Sequence, residues 1–360
     1  MRDPSQVSIH ELIEIGFYER ASDIFVKCDS VPMMRQHSKM IPVPGEWPVM
    51  DAKNTARINY DLMTTQRQKN KYEEHMEMDL AFAVKDLCRV RANLHRQKGT
   101  DGIVCRIIPL DILSIDDLGL HPTLKKMGDP RLGLILFTGP TGSGKTTSLA
   151  AVLDMINLTR SCHIVTIEDP LEFVHRDKVS YVTQREVGID TEDFLPAMRA
   201  VLREAPDVIL VGEMRDPVTF QTSLQAGETG HLVFSTVHTS SAYETMDRII
   251  NMFPPHEKDH LCLRLANSLR FIVSQKLVPR ADGNGRVCAM EILVCTPTVS
   301  KKIEDGHFSD LYELMNDGEF WGMQTMNQSL YKFVKAGVID EQTALNYAGI
   351  QSELKQMLRR

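Results

Sequence analysis

The sequence predicts an α/β protein in which a small α+β domain precedes a larger domain built on a parallel sheet. Three observations carry this prediction. Short alternating segments occupy the chain before residue 112, and continuous apolar runs alternate with helical stretches after residue 132. A glycine-rich loop lies between the first such run and the first such helix. The 360 residues suffice for two domains of ordinary size.

The first domain is predicted to span residues 1–112 and to contain an antiparallel sheet. Its segments SDIFVKC and GIVCRII alternate between apolar and polar residues, which is typical of strands with one buried face. Between them lies the polar stretch DAKNTARINYDLMTTQRQKNKYEEHME, whose composition favours helix. The turn and cap residues of DILSIDDLGLHPTLKKMGDPR predict a domain boundary near 111–130.

The second domain is predicted to span residues 113–360. Its apolar runs LGLILFTG, HIVTIED, DVILVGE and HLVFSTVH suit parallel strands that are buried on both faces. The helical stretches KTTSLAAVLDMINL, DFLPAMRAVLRE and PVTFQTSLQAG alternate with them, which predicts right-handed β-α-β units with helices on both sides of the sheet. Several short helices are expected from about residue 297.

Composition and charge favour a cytoplasmic protein. The formal net charge of -7 argues against a main role in neutralising nucleic-acid phosphates, so no nucleic-acid partner is expected. The seven scattered cysteines form no C-x-x-C pair, which fits reduced thiols. The N-terminal sequence lacks the apolar core of a signal peptide, and no run approaches the ~18 apolar residues of a membrane span.

The segment GPTGSGKT predicts a phosphate-binding loop, because it follows a predicted strand and opens a predicted helix. Its backbone N–H groups are expected to face phosphate oxygens, with a lysine at the β and γ phosphates and a threonine hydroxyl at Mg²⁺. ATP and Mg²⁺ are therefore the expected ligands. The residues predicted to bind the nucleotide are Gly139, Pro140, Thr141, Gly142, Ser143, Gly144, Lys145, Thr146 and Thr147.

Two acidic strand ends are candidates for the chemistry that a phosphate loop alone does not specify. Glu213 ends the run DVILVGE, and Gly212 stands where many such motifs have an aspartate. Glu168 and Asp169 end the run HIVTIED. An acidic strand end is usually a solvated turn or a helix cap, but two of them after a phosphate loop favour a functional role.

Two histidines flank the run HLVFSTVH. For His231 and His238 the residues alone leave open a structural, hydrogen-bonded role and a role at the site. Their separation of seven positions places them near opposite ends of one strand, so they need not act together.

The motifs GPTGSGKTT, TIEDPLEFVH, PDVILVGEMRD and GETGHLVFSTVHTSSA, in this order, resemble the secretion ATPases of type II and type IV systems. The likeness is strongest to the type IV pilus retraction ATPases of the PilT and PilU types, and it covers nearly the whole chain. It implies a PAS-like N-terminal domain, a RecA-like ATPase domain and a homohexameric motor for twitching motility. The implied partners are an inner-membrane pilus platform protein and a paralogous retraction ATPase, which would place the chain peripherally at that membrane.

The resemblance also implies roles for particular residues. It assigns catalysis to Glu168, the polarisation of water to Glu213, and functional roles to His231 and His238. The metal contacts are expected on the residues alone from Thr146 and Glu213, with contact through water or from Glu168 and Asp169 as the alternatives. The family lacks the aspartate that Gly212 replaces. Arginines of the first domain are expected near the phosphates, and the alternative is that at least one of them is an ordinary surface residue. The candidate arginines are Arg91, Arg96 and Arg106.

Two departures bear on the branch of the family. The chain lacks the tetracysteine site of assembly ATPases, which favours retraction. The stretch TVSKKIED at 298–305 lacks the first arginine of the retraction helix AIRNLIRE, and QREVGIDT and GMQTMNQSL also lean towards an accessory motor. The alternative is that Lys301 and Lys302 supply the missing charge.

Three other functions are alternatives to a retraction motor. An ATPase of a related secretion or DNA-uptake system shares the same motifs. A guanine-specific switch would need an N-K-x-D motif, and none follows residue 146. A nucleic-acid-tracking motor would need basic loops with aromatic residues, whereas aromatic residues are only 6% of the chain.

Overall fold

The computed structural model describes residues 3–36, 39–84 and 87–359. The chain divides into two compact units, of which the first comprises residues 1–111 with 172–174 and the second residues 112–171 with 175–360. Over the described ranges, the helices are all too short or too polar to cross a lipid bilayer.

The first unit contains the predicted antiparallel sheet. Its six strands lie in the order β3-β2-β1-β6-β5-β4. The helical stretch predicted from composition forms two of its three described helices. The elements are β1 (Asp23–Lys27), β2 (Met33–Gln36), β3 (Lys39–Pro42), β4 (Glu77–Val84), β5 (Cys88–Gln97), β6 (Thr100–Pro109), α1 (Ile9–Tyr18), α2 (Ala52–Leu62) and α3 (Gln66–His75).

The alternation of buried and less buried residues along β5 shows which face of this sheet packs against the core. Cys88, Val90, Ala92 and Leu94 are buried, whereas the residues between them point to the opposite face. The buried set packs with α1 and α2 residues in one core that also includes Tyr72. Because side chains alternate across a strand, Arg91 of β5 and its partner Arg106 of β6 lie on the face away from this core, whereas Arg96 lies on the core side beside Tyr72.

The second unit contains a seven-stranded sheet in the order β13-β12-β7-β11-β10-β8-β9. Strands β7 to β12 run parallel to their neighbours, and β13 pairs antiparallel with β12. The four predicted parallel strands are confirmed as β7, β8, β10 and β11. The strands are β7 (Gly133–Thr138), β8 (His163–Glu168), β9 (Tyr181–Glu186), β10 (Val208–Val211), β11 (Leu232–Val237), β12 (Leu269–Pro279) and β13 (Arg286–Val294).

The helices of the second unit follow the strands as the sequence predicts, and short helices end the chain. They are α4 (Lys145–Thr159), α5 (Phe194–Val201), α6 (Pro217–Glu228), α7 (Ala242–Asn251), α8 (Lys258–Ser268), α9 (Pro297–Glu304), α10 (Leu311–Asn316), α11 (Met326–Lys335), α12 (Glu341–Tyr347) and α13 (Gln351–Leu358). Single turns of 3₁₀ helix occur at Pro4–Gln6, Pro255–Glu257, Phe308–Asp310 and Glu319–Trp321, and a longer one at Pro122–Gly128.

Side-chain caps explain where several helices begin. Asp216 accepts hydrogen bonds from the backbone N–H groups of Val218 and Thr219 at the start of α6. Ser241 accepts one from the N–H of Glu244 at the start of α7. Each cap satisfies donors that have no partner within the helix, which stabilises the helix by about 1 kcal/mol.

The parallel sheet separates two cores. On β7, Leu134 and Leu136 belong to a core that α5, α6, α7 and α8 cover, whereas Ile135 and Phe137 belong to a core that α4 covers. Both sets are fully buried. The continuous apolar runs of the sequence are therefore explained by burial on both faces of each strand.

The strand register brings the phosphate loop and the acidic strand ends to one edge of the sheet. Val237 of β11 lies opposite Thr138 of β7, and Val211 of β10 lies opposite Ile167 of β8. The phosphate loop and the acidic strand ends follow these positions directly. They therefore meet at the carboxyl edge of a parallel sheet, which is where ligands bind in open α/β folds.

Candidate functional site

The phosphate loop joins β7 to α4 and depends on glycine at defined positions. Gly139, Gly142 and Gly144 have φ angles of 145°, 78° and 90°, which side chains with a Cβ rarely adopt. A Cβ on Gly139 would lie 2.5 Å from Oγ of Ser143 and 2.6 Å from the carbonyl oxygen of Gln275. The close approach of these groups therefore requires glycine at the start of the loop.

The loop presents donors that fit the phosphates of a nucleotide. Lys145 is only 8% exposed, and its ammonium donates to the carbonyl oxygens of Gly139 at 2.7 Å and Pro140 at 3.0 Å. Oγ of Ser143 is buried without a hydrogen-bond partner in the structure, so it is available to an anion. Thr146 and Thr147 lie half-buried in the first turn of α4, where the helix dipole favours negative charge.

Glu213 lies just beyond β10 and contacts two basic side chains. One of its carboxylate oxygens forms an ion pair with the guanidinium of Arg215. The other lies 3.6 Å from Nε2 of His238. Thr146 and Glu213 together offer a hydroxyl and a carboxylate oxygen, which are the hard donors that Mg²⁺ prefers.

His238 is held mainly in its neutral form at pH 7. Burial lowers the pKa of its imidazole, and the positive charge of Lys145 lowers it further, against the opposing effect of Glu213. The influence of Lys145 on this pKa follows from the strand order, since β11 neighbours β7. A neutral imidazole beside Glu213 can accept a hydrogen bond from water or donate one to it.

Glu168 is 7% exposed at the end of β8. Its Oε1 accepts a hydrogen bond of 2.7 Å from Oγ1 of Thr166 and lies 3.4 Å from Nε2 of Gln184 on β9. The neighbouring Asp169 is exposed, and its charge helps to raise the pKa of Arg215, an effect dominated by the hydrogen bond from Arg215 to Glu213.

The structure does not bring His231 to the phosphate loop. His231 directly precedes β11, at the end of the strand opposite to His238. Its Nδ1 lies 3.0 Å from the carbonyl oxygen of Ala226. The six residues of β11 separate the two histidines by about 20 Å. Within one chain, His238 lies beside Glu213, whereas His231 contacts the backbone of Ala226.

The three candidate arginines have different surroundings within the first unit. Arg96 donates to Glu73 at 2.8 Å, lies 3.7 Å from Asp101 and has its guanidinium 5.4 Å from the centre of the Tyr72 ring. These contacts are typical of a structural residue. Arg91 and Arg106 lie directly opposite each other on β5 and β6.

Arg106 also forms a cross-strand ion pair. Its Nε lies 3.1 Å from Oδ1 of Asp23 on β1, and its side chain remains 59% exposed. Arg91 is half-buried. Asp23 therefore already offsets part of the positive charge that the paired Arg91 and Arg106 bring to this face.

A cavity of about 330 Å³ adjoins the outer side of the phosphate loop. Besides residues 140–143 of the loop, polar side chains from β12, β13 and α12 line it. Burial lowers the pKa of Lys276, whose ammonium donates to the carbonyl oxygen of Tyr347 at 3.0 Å. The remaining lining residues are Ser240, Leu277, Arg286 and Asn346.

Reasoning from the sequence missed several residues of the site. Arg215 and Thr166 stand within two positions of a predicted carboxylate, so a closer reading of the motifs GEMRD and TIED would have found them. No sequence motif marks three further residues, because strand pairing alone brings them to the site. They are Gln184, Lys276 and Arg286.

Comparison with known proteins gives a consistent result. A family model described as type II/IV secretion system protein matches residues 9–342. The type IV pilus retraction ATPase PilT of Pseudomonas aeruginosa is 41% identical over 344 residues, which cover 96% of this chain and 99% of that protein. The type IV pilus ATPase PilU of the same organism is 34% identical over 353 residues, which cover 98% and 92%. The twitching motility protein of Neisseria gonorrhoeae is 41% identical over 337 residues, which cover 94% and 89%.

Solved structures are similar to the whole chain. The pilus retraction motor PilT with bound ADP is 39% identical with a TM-score of 0.91, over 98% of this chain and 100% of that one. The ATPase DotB of Legionella pneumophila has a TM-score of 0.80 over 95% and 96% of the two chains, but at 24% identity it bears on the fold alone. The first likeness confirms the predicted fold class, an N-terminal domain followed by a RecA-like ATPase domain.

Proposed function

Because this chain belongs to the type II/IV secretion system protein family, we propose that it is an ATP-hydrolysing motor subunit for the retraction of type IV pili. The observation that carries the proposal is the meeting of the phosphate loop, Glu213 and His238 at one edge of the sheet. The similarity to retraction proteins over nearly the full length supports the choice of this activity among those of the family.

In the proposed reaction, residues of the phosphate loop bind and orient ATP. Lys145 exchanges its loop carbonyl contacts for oxygens of the β and γ phosphates. The hydroxyl of Thr146 and the carboxylate of Glu213 would hold Mg²⁺, which when bound neutralises charge on the phosphates. The nucleotide is thereby fixed for attack at its γ phosphorus.

Glu213 and Glu168 are the proposed catalytic carboxylates. Glu213 orients the attacking water, and the neutral imidazole of His238 is placed to share a hydrogen bond with that water. The buried carboxylate of Glu168 lies on the next strand but one from β11 and can accept a proton. His231 lies at the other end of β11, away from the phosphate loop of its own chain, so the functional role that the resemblance implies for it is proposed at a neighbouring copy of the chain.

Self-assembly into a homohexamer is part of the proposal. Arg91 and Arg106 are proposed to approach the phosphates, because an arginine beside developing phosphate charge accelerates hydrolysis by ~10³ to 10⁵. The same resemblance supports docking on an inner-membrane pilus platform protein, cooperation with a paralogous retraction ATPase and a cytoplasmic location at that membrane. No nucleic-acid partner is proposed.

Among retraction motors, the chain is proposed to be an accessory rather than a principal motor. The 41% identity with PilT, against 34% with PilU, favours a principal motor. The sequence of α9 favours an accessory one, because it lacks an arginine of the retraction helix. The proposal rests on α9, because the resemblance implies that this helix is needed for retraction.

The experiment that tests the proposed function is deletion of the gene in its native strain. The expected result is an excess of surface pili and a loss of twitching, both restored by the parental gene and neither by Lys145→Ala. Unchanged pilus retraction in the deletion strain contradicts the proposal, as does full restoration by Lys145→Ala.

A further inference from the structure

The side-chain amide of Gln184 has no role in the proposed reaction, although it reaches the site. Gln184 lies on β9, directly opposite Thr166 of β8. Paired positions on neighbouring parallel strands present their side chains to the same face, and so do positions two apart on one strand. Thr166, Glu168 and Gln184 therefore share one face at the edge of the sheet.

The orientation of this amide follows from its neighbours. The backbone N–H of His175 can only donate, so the Gln184 atom at 2.7 Å from that nitrogen is the carbonyl oxygen Oε1. The NH₂ group then points the other way and lies 3.4 Å from Oε1 of Glu168. The same carboxylate oxygen accepts the 2.7 Å hydrogen bond from Thr166.

We propose that Gln184 is a positioning residue for ATP hydrolysis, which together with Thr166 holds the Glu168 carboxylate ionised and in one orientation. This inference rests on the proposed function, in which Glu168 is catalytic. Hydrogen bonds donated to a carboxylate favour its charged form. A carboxylate whose donors are already in place needs little reorganisation when the reaction begins.

The amide also joins Glu168 to the loop that follows β8. Its Oε1 accepts from the backbone of that loop, and its NH₂ faces the carboxylate, so displacement of the loop at His175 withdraws a donor from Glu168. Glu168 is therefore poised for reaction only while this loop keeps its conformation.

The test uses the full chain and measures kcat and KM for ATP from pH 5.5 to 9. Gln184→Ala is expected to lower kcat at pH 7 roughly tenfold and to move the acidic limb of the kcat profile up by roughly one pH unit, with KM nearly unchanged. Gln184→Glu retains the acceptor for His175 but places a negative charge beside Glu168. It is expected to fold and to move the limb at least as far.

Thr183→Val is the matched control. Thr183 adjoins Gln184 on β9 but faces the other side, where its hydroxyl lies 2.9 Å from Nε2 of His163. The variant therefore removes one polar contact of the same strand without touching Glu168. We expect its pH profile to match that of the parent protein.

Combination with Glu168→Gln separates the possible outcomes. In that background Gln184→Ala is expected to have no further effect on kcat, because its action passes through Glu168. The inference is overturned if Gln184→Ala lowers kcat equally at every pH, or if it still lowers kcat in the Glu168→Gln background. Full activity of Glu168→Gln overturns it as well. Absence of ATP hydrolysis by the parent protein instead overturns the proposed function.

Discussion

Two titratable residues of the second unit change the stability of the fold with pH in opposite directions. Burial lowers the pKa of His175 to about 4, and it raises the pKa of Glu291 to about 7. In each case the folded state favours the neutral form, because a charge in a desolvated position is costly. The unfolded reference values are 6.5 and 4.5.

His175 is expected to make the protein sensitive to acid. Because its folded pKa lies below its unfolded value, its contribution is fully present above about pH 6.5 and is lost as pH falls towards 4. Between pH 6.5 and 4 the free energy of unfolding of the parent protein should fall. For His175→Gln this fall should be smaller by roughly 2–3 kcal/mol. Urea denaturation at a series of pH values measures the difference, and parallel pH dependences would refute the assignment.

Glu291 is expected to reduce stability at neutral and alkaline pH. Its folded pKa lies above its unfolded value, so the folded state binds more protons between pH 4.5 and 7 and stability falls as pH rises through this window. Glu291→Gln retains the acceptor for the N–H of Ala242, at which α7 begins. The difference in free energy of unfolding between variant and parent should rise by roughly 2 kcal/mol in favour of the variant as pH increases from 5 to 8. A constant difference across that range contradicts this expectation.

At the scale of elements, the amphipathic helix α9 contains the stretch TVSKKIE, on which the proposal of an accessory motor rests. Val299 and Ile303 are buried against the sheet core, which fixes the outward face of the helix. On that face Lys301 lies 3.1 Å from Glu304 and 3.0 Å from Asp305. Lys302 pairs with Asp310 at 2.6 Å. Both lysines therefore already have acidic partners within the chain.

This pairing predicts that the lysines do not replace the missing arginine. A guanidinium offers a partner several directed donors, whereas an ammonium that is already paired offers little. The protein expressed as the only retraction ATPase of a piliated strain should support little or no fibre withdrawal, although it hydrolyses ATP. Fluorescently labelled pili make withdrawal visible, and vigorous withdrawal would identify a principal motor.

The elements also show which parts of the fold the sequence predicts. The strands β7, β8, β10 and β11 are evident because burial on both faces gives each a continuous apolar run. Strand β9 was not predicted, since YVTQRE is polar and lies at the edge of the sheet. Local pattern therefore identified four interior strands, but neither the edge strand β9 nor the interior strand β12, whose run LRFIVSQKLVP contains several polar residues.

The candidate site was predictable to the same degree. The phosphate loop and the acidic strand ends each form a contiguous motif, so the carboxyl edge of the parallel sheet could be inferred from them. The contact of Gln184 with Glu168 was not predictable, because 16 positions separate the two residues. Resemblance to the family supplied the arginines and a functional role for His231, and these roles stay predictions.

At the scale of the whole molecule, the first unit is expected to contribute to catalysis through two of its arginines. Arg91→Gln and Arg106→Gln should each lower kcat by roughly 100-fold or more while ATP binding persists, since they would remove charge that faces the transition state. Arg96→Gln is the matched control, because its ion pair and ring contact lie within the first unit. It should lower the melting temperature but leave kcat nearly intact.

Removal of the first unit tests the same expectation. The second unit alone, from about residue 113, should bind nucleotide and hydrolyse it poorly. Rates of ATP turnover per folded chain, normalised by circular dichroism, make the comparison. Equal activity of the truncated and complete chains would exclude a catalytic role for the first unit, as would a loss of kcat confined to Arg96→Gln.

The central claim is that ATP is bound by one set of residues at the sheet edge and hydrolysed by another. The most direct measurement compares binding of a fluorescent ATP analogue with steady-state ATP turnover in Lys145→Ala and Glu213→Gln. Lys145→Ala should bind the analogue at least tenfold more weakly, because it loses a charge that meets the ground-state phosphates. Glu213→Gln should bind it as the parent does yet turn over ATP roughly 100-fold more slowly. Turnover by Glu213→Gln near the parental rate would contradict the account.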